Sequence, residues 1–131
     1  MRKNLVILTF VLLSISLIHG QNNRQASSQE KIFVHYNSSL LFTGEYLFYK
    51  LYLNEADKNY AGKLSGFAYL ELISETGNKV FQDIVKLDDG VGYGDYFVNS
   101  DVPSGNYKIV AYTEYMRNFS FDYFFQADIT V

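Results

Sequence analysis

Residues able to perform acid–base or nucleophilic chemistry are sparse in this chain. His35 is the only histidine beyond residue 20, and general acid–base catalysis or zinc binding usually needs a second histidine or a positioned carboxylate. Ser38, Ser39 and Ser104 lie in segments typical of turns, without the Gly-x-Ser-x-Gly context that exposes a nucleophilic serine. The sequence therefore predicts no catalytic residues and a protein that is not an enzyme.

Residues 88–95 combine acidic side chains with alternating glycines. Asp88, Asp89 and Asp95 offer oxygen ligands for calcium, although their spacing does not match an EF-hand loop. The glycine spacing does not fit a phosphate-binding loop, and no helical pattern follows it. We expect a turn that enters a strand, where the alternate glycines leave room for a bulge or for close packing by aromatic rings. Calcium bound near the three aspartates is the alternative, and no other cofactor is expected.

A row of alternate positions, Tyr46, Phe48, Lys50 and Tyr52, is rich in aromatic rings. In a strand these side chains share one face, while Leu47, Tyr49, Leu51 and Leu53 share the other and form the better core. An exposed aromatic row usually marks an interaction surface, for a protein partner, an adjacent domain or a stacked sugar ring. The alternatives are that the leader or loops cover the row, or that the row is itself the core.

Length, composition and charge exclude some classes of protein to which this chain could belong. The chain has 131 residues, with 48% hydrophobic residues, 12 Tyr and 11 Phe, which is too much apolar surface for a disordered protein. Its formal net charge of -3 argues against nucleic acid as a partner. The absence of cysteine means that the domain folds without disulfides, so burial of aromatic rings is expected to stabilise it.

The first residues have the composition of a secretory signal peptide. Arg2 and Lys3 precede an apolar run over residues 5–18, and Gly20 offers a cleavage point before a polar stretch. A membrane anchor is the alternative, but the run is shorter than the roughly 20 residues that span a bilayer. We expect residues 1–20 to be removed, leaving 9 basic and 14 acidic residues, since Arg2 and Lys3 leave with the signal. The mature protein would then be acidic, exported and not integral to a membrane.

Beyond the signal, residues 21–30 have no periodicity and are expected to form a flexible leader. Period-two alternation then continues to the C-terminus, interrupted by turn residues, and no helical stripe is present. The predicted strands lie near residues 31–36, 45–53, 67–74, 79–87, 93–98, 106–114 and 123–131, and the polar stretch 54–62 is predicted to be a turn. About seven short strands at this spacing indicate an all-β, immunoglobulin-like antiparallel sandwich over residues 31–131.

Several segments across residues 31–131 resemble one known domain, the macroglobulin-type MG2 domain of large secreted envelope proteins of Bacteroidetes. The matching segments are K-I-F-V-H-Y (31–36), G-E-Y-L-F-Y-K-L-Y (44–52), D-G-V-G-Y-G-D-Y-F (89–97), V-P-S-G-N-Y-K-I-V-A-Y-T (102–113) and Y-M-R-N-F (115–119). Two positions depart from the family pattern, because Phe48 and Tyr115 stand where tryptophan is usual. Family members are also usually much longer than this chain.

The resemblance implies a structural role for the last two segments. Gly105 and Tyr107 have the placement of a tyrosine corner, in which the phenol bonds to nearby backbone. Met116, Arg117 and Asn118 lie in the segment that resembles the family's W-M-R-N-F motif.

The resemblance also implies a compartment and a kind of function. The protein would lie in the periplasm, on the outer membrane or outside the cell, and would contact another envelope protein or domain without catalysing a reaction. It could be a complete module or a shortened relative of a larger protein. Protease trapping is not implied, because a bait region and a cysteine thioester are both missing from the sequence. A carbohydrate-binding module that uses the aromatic row is the alternative function.

Overall fold

The computed structural model describes residues 29–55, 58–61 and 65–131. The predicted signal peptide and most of the predicted leader lie outside these residues. The strands are β1 (Glu30–Tyr36), β2 (Tyr46–Glu55), β3 (Lys58–Ala61), β4 (Phe67–Ser74), β5 (Lys79–Lys86), β6 (Val91–Phe97), β7 (Asn106–Tyr112) and β8 (Phe125–Thr130). Two short 3-10 turns, Tyr115–Asn118 and Phe121–Tyr123, connect β7 to β8.

The strands form two antiparallel sheets. In the first, here called sheet A, β2 is central, β1 pairs with one of its edges, and β6 and the short β3 pair with successive parts of the other edge. The second, sheet B, has the order β5-β4-β7-β8. The described residues contain no α-helix. The prediction of an all-β, immunoglobulin-like sandwich is therefore confirmed.

The core lies between the sheets and consists of the inward side chains of alternating strands. In β2 the inward set is almost completely buried, with Leu47, Leu51 and Leu53 at 0% exposure and Tyr49 at 3%. Facing them across the core, Leu70 and other inward residues of sheet B are equally buried. The face of β2 that the sequence favoured as core is thus the core, and the opposite row is not.

The predicted and observed strands differ mainly at positions where backbone pairing, which the side-chain pattern does not show, determines whether a strand forms and where it begins. β1 begins at Glu30, one residue before its predicted start, and Glu30 is buried rather than part of a leader. The stretch predicted to be a turn contains β3, which forms a short hairpin with the end of β2 through the pairs Asn54 with Ala61 and Glu55 with Lys58. Such a four-residue strand has too few positions to show alternation.

β7 ends at Tyr112 because the next residue starts a turn. The Thr113 hydroxyl oxygen accepts a hydrogen bond from the Met116 backbone N–H at 3.2 Å. The hydroxyl itself donates to Glu30 Oε2 at 2.5 Å, and Ser65 donates to the same carboxylate oxygen at 2.8 Å. This network fastens the start of β1 to the end of β7, and no feature of the local sequence around any of these residues predicts it.

The tyrosine corner is present. Tyr107 is buried, and its hydroxyl donates to the Pro103 carbonyl at 2.5 Å. The Gly105 backbone is nearly extended, with φ at 159°. Its N–H and carbonyl pair with Val131, which continues the β7–β8 ladder by one residue pair.

Candidate interaction surface

The outward side of sheet A carries the predicted row and further rings on both neighbouring strands. We call this surface the aromatic face, defined by Phe33, Tyr46, Phe48, Tyr52, Tyr93 and Phe97. Strand pairing sets its arrangement, since Tyr52 lies opposite Phe33 in β1 and Tyr46 lies opposite Phe97 in β6. The fractional exposures of Phe48 and Tyr93 are 55% and 81%. Among the described residues, five of the six rings are therefore exposed, and Tyr52 is half-buried.

The rings on this face pack against one another. Tyr46 and Phe48 are stacked with centroids 5.6 Å apart and planes inclined by 16°. Tyr46 also contacts Phe97 at 5.0 Å with an inclination of 55°. Because Tyr46 and Phe48 are stacked, each ring covers part of the face of the other.

Cationic side chains lie among these rings. Lys50 Nζ is 5.1 Å from the centroid of Tyr52, and Lys31 Nζ is 5.2 Å from that of Phe33, both within cation–π range. Lys50 therefore lies among the rings of this face. His35 lies opposite Lys50 and is exposed on this same side of the sheet.

The sequence identified the part of this face that belongs to β2 and missed the rings of β1 and β6. Phe33, Tyr93 and Phe97 join it only through the register of three strands. The alternation in residues 31–36 places Phe33 on one side of its strand, but it does not show which strand lies beside it. The possibility that the leader covers the face concerns residues outside those described.

Residues 88–95 form a turn and then enter β6, as predicted. Asp88 pairs with Lys86 at 2.9 Å, and its backbone bonds close the turn with Val91. Asp89 lies in the turn with φ at 49°, whereas Asp95 lies on the outward side of β6 opposite Phe48. Within the described part of the chain, no group of three or more His, Asp or Glu side chains is placed to hold a metal ion.

The glycines of this segment make room for close packing, which confirms the favoured interpretation. A Cβ on Gly92 would lie 2.5 Å from Val85 Cγ1 and 2.7 Å from the Lys86 carbonyl oxygen. A Cβ on Gly94 would lie 2.6 Å from the hydroxyl of Tyr49. Gly92 thus allows β6 to approach β5, and Gly94 accommodates a core ring.

Tyr49 uses the space beside Gly94 to join the two sheets. Its hydroxyl donates to Asp83 Oδ2 at 2.5 Å, across the core from sheet A to sheet B. Burial, together with the hydrogen bond to Asp83 and the charges of Asp83 and Asp95, raises the pKa of Tyr49 well above its ordinary value. The phenol therefore stays neutral at physiological pH and acts as a structural donor.

The motif residues Met116, Arg117 and Asn118 divide into core and surface. Met116 is 1% exposed and packs in the core. Arg117 is exposed and pairs with Glu114 at 3.0 Å, while the Asn118 side chain donates to the Tyr115 carbonyl at 3.0 Å. The motif thus anchors and closes a 3-10 turn, and its polar members face solvent.

The candidate catalytic residues are not assembled into a site. The Ser38 hydroxyl donates to the backbone carbonyl of Leu40, a local turn contact. Ser104 lies in the turn before β7, whereas His35 lies on the outward side of sheet A.

No helix within the described residues has the length and apolar character needed to cross a membrane.

Comparison with solved structures identifies the fold as that of a macroglobulin-like immunoglobulin domain. The native conformation of Escherichia coli alpha-2-macroglobulin matches with a TM-score of 0.64 and 19% identity, covering 81% of this chain and 6% of that chain. Trypsin-activated alpha-2-macroglobulin from Escherichia coli matches with a TM-score of 0.63 and 18% identity, covering 79% and 7%. Salmonella alpha-2-macroglobulin reacted with methylamine gives 0.62 and 17%, covering 78% and 6%.

These likenesses show the fold alone, because identity is low and this chain spans less than a tenth of each of those proteins. No protein-family model matches the chain, and no curated protein does.

Proposed function

We propose that this macroglobulin-like β-sandwich is an exported, non-enzymatic interaction module of a bacterial cell envelope that binds another envelope protein or domain through its aromatic face. The proposal rests on the exposure of this face, whose rings do not belong to the core between the two sheets. Tyr46, Phe48 and Phe97 are 45% to 55% exposed. Contiguous exposed apolar surface of this kind is uncommon on a monomer without a binding role.

The composition of the face suits a protein partner. Aromatic rings at the centre of a surface, with polar groups around them, are typical of protein interfaces. Lys31, Lys50 and Asp95 supply both signs of charge beside the rings. Such charges favour one partner and one orientation over others.

The ring geometry favours protein contact over sugar stacking on this face. A pyranose ring needs an open aromatic face against which to lie. Tyr46 and Phe48 are stacked, with centroids 5.6 Å apart and planes inclined by 16°, so the ring faces between them are not available. Side-by-side rings of this kind instead offer edges and grooves into which the side chains of a partner protein can pack.

The proposed compartment is supported by the sequence and by the fold. Residues 1–20 have the composition of a signal peptide, which supports export. Alpha-2-macroglobulins from Escherichia coli and Salmonella share the fold. An envelope location in Bacteroidetes, in the periplasm, on the outer membrane or outside the cell, rests on the resemblance of the motifs.

A double substitution tests the role of the aromatic face. In Tyr46→Ala/Phe48→Ala, we expect the envelope partner that co-purifies with the parent protein to be lost. The melting curve should change little, because exposed sites usually contribute within about 0.5 kcal/mol each.

The matched control is Phe67→Ala/Ile84→Ala, which removes two side chains of 56% and 57% exposure from the outward side of sheet B. This control should keep the partner. Equal retention by both variants would contradict the proposal, and so would unfolding of the first.

A further inference from the structure

A cleft lies on the outward side of sheet B, on the opposite side of the sandwich from the aromatic face. Its walls are the turn that joins β4 to β5 and the side chain of Phe121, and its volume is about 540 Å³. This volume falls within the range of small-molecule sites, roughly 300 to 1,000 Å³. We call it the sheet B cleft. Neither the fold nor the proposed protein contact accounts for it.

The cleft has an apolar floor and an aromatic rim. Ile73 and Val110 contribute to the floor, and Val110 is 2% exposed. Phe121 is 51% exposed. Its backbone carbonyl accepts a hydrogen bond from Gln126 Nε2 at 3.4 Å, and its ring contacts the Phe124 ring with centroids 5.2 Å apart and planes inclined by 61°. The cleft thus presents a preformed ring beside a hydrophobic surface.

Polar side chains converge on the same cleft and hold one another in place. Asn106 Nδ2 donates to Glu75 Oε1 at 2.9 Å, and Lys108 pairs with Asp128 Oδ1 at 2.6 Å. The Thr130 hydroxyl donates to Asn106 Oδ1 at 3.2 Å. Among the hydrogen bonds of the described residues, the second carboxylate oxygens of Glu75 and Asp128 are not used. These oxygens remain able to accept, and the Lys108 ammonium has further hydrogens to donate.

We infer that the sheet B cleft binds a neutral sugar, with one pyranose face against Phe121 and hydroxyl groups bonded to the polar side chains. A pyranose has C–H groups on one face and hydroxyls that both donate and accept around its rim. The cleft supplies a complementary set: an exposed ring, carboxylate acceptors at Glu75 and Asp128, and a cationic donor at Lys108. No step of this inference depends on the aromatic face of sheet A.

Charge and strand order favour a neutral sugar over two other classes of ligand, an anion and an extended peptide. Glu75, Lys108 and Asp128 together carry a net charge of about -1 at neutral pH, which disfavours an anionic ligand such as a phosphate or a uronic acid. An extended peptide usually binds by adding a strand to a free sheet edge. The cleft lies over β7, which is paired on both sides, and over the end of the edge strand β8. At that end the Thr130 backbone already bonds to Ser39 and Leu41, so the outer edge of β8 is occupied there.

The test is an NMR titration of the ¹⁵N-labelled protein with a panel of disaccharides. The neutral probes contain glucose, mannose, galactose, xylose or N-acetylglucosamine in α and β linkages, and the anionic probe is digalacturonic acid. We expect at least one neutral probe to shift the amide signals of Lys108, Val110 and Asp128. In Phe121→Ala its dissociation constant should rise at least about tenfold, since stacking and the buried area of the ring are both lost.

Tyr123→Ala is the matched control, because Tyr123 is 49% exposed in the same connecting segment but lies outside the cleft. It should bind like the parent. Asp128→Asn, which keeps the size of the side chain, should weaken binding without changing the fold. The inference would be overturned if no neutral probe shifted any signal, or if digalacturonic acid bound more tightly than the neutral probes. It would also be overturned if Tyr123→Ala lost as much affinity as Phe121→Ala, or if the shifts fell on sheet A alone. Displacement of the sugar by an extended peptide would contradict it as well. None of these outcomes affects retention of the envelope partner by sheet A.

Discussion

Gly92→Ala is expected to lower the free energy of unfolding by about 3 kcal/mol, the upper part of the range for overpacked sites. The new methyl group would lie 2.5 Å from Val85 Cγ1 and 2.7 Å from the Lys86 carbonyl oxygen. A side chain can rotate away from such a contact, but a backbone oxygen in a paired strand cannot. The substitution therefore pushes β6 away from β5, where the edges of the two sheets meet.

The control for this substitution is Gly66→Ala. A Cβ at Gly66 meets no atom within 4 Å, and its backbone is not in the left-handed region. Its free energy of unfolding should stay within about 0.5 kcal/mol of the parent value. Urea denaturation of the three proteins measures the difference. Similar midpoints for Gly92→Ala and the parent would show that β5 and β6 do not approach each other as closely as described.

Met116→Ala is expected to destabilise the domain by about 2 to 5 kcal/mol, the range for deleting a large buried side chain. Met116 is 1% exposed and packs in the core, although it lies in a short turn between two strands. Its removal leaves a cavity beneath the turn. Loss of packing there should also loosen the contact between Thr113 and Glu30, because the Met116 N–H bonds to the Thr113 hydroxyl.

Arg117→Ala provides the comparison within the same motif. Arg117 is exposed, and its pair with Glu114 is a surface ion pair, which contributes little to stability because water and salt screen the two charges. Its unfolding midpoint should therefore lie close to that of the parent. Comparable losses for the Met116 and Arg117 variants in urea denaturation would contradict the division of the motif into core and surface.

Strands with one buried face could be predicted from the sequence. In β2 the alternation of Leu47, Leu51 and Leu53 with polar and aromatic residues identified the core face correctly. β4 has the predicted bounds, because turn residues flank its alternating run on both sides. Alternation shows which side chains of a strand are buried on folding, and turn residues show where the strand ends.

Contacts between distant segments could not be predicted in this way. The hydrogen bond from Thr113 to Glu30 joins residues 83 positions apart. The glycines of β6 indicated close packing, but neither Tyr49 nor Val85 could be named as the neighbour from spacing. The 3-10 turns were also missed, since their length is too short for a helical stripe to appear.

The aromatic face was predicted in part for the same reason. Its β2 members share one strand, so alternation alone groups them. Phe33 and Phe97 come from strands that flank β2, and the extent of the face follows from strand order. The sheet B cleft depends in the same way on Phe121, which a turn brings over β7.

Photocrosslinking most directly tests whether the aromatic face contacts a partner protein. Benzoylphenylalanine in place of Phe48 would sit at the centre of the face, and the same group in place of Ile84 would sit at a site of similar exposure, 57% against 55%, on the other sheet. After irradiation of the cells that produce the protein, we expect a cross-linked adduct with another envelope protein from position 48 and none from position 84. No adduct from position 48, or the same adduct from both positions, would contradict a binding role for the aromatic face.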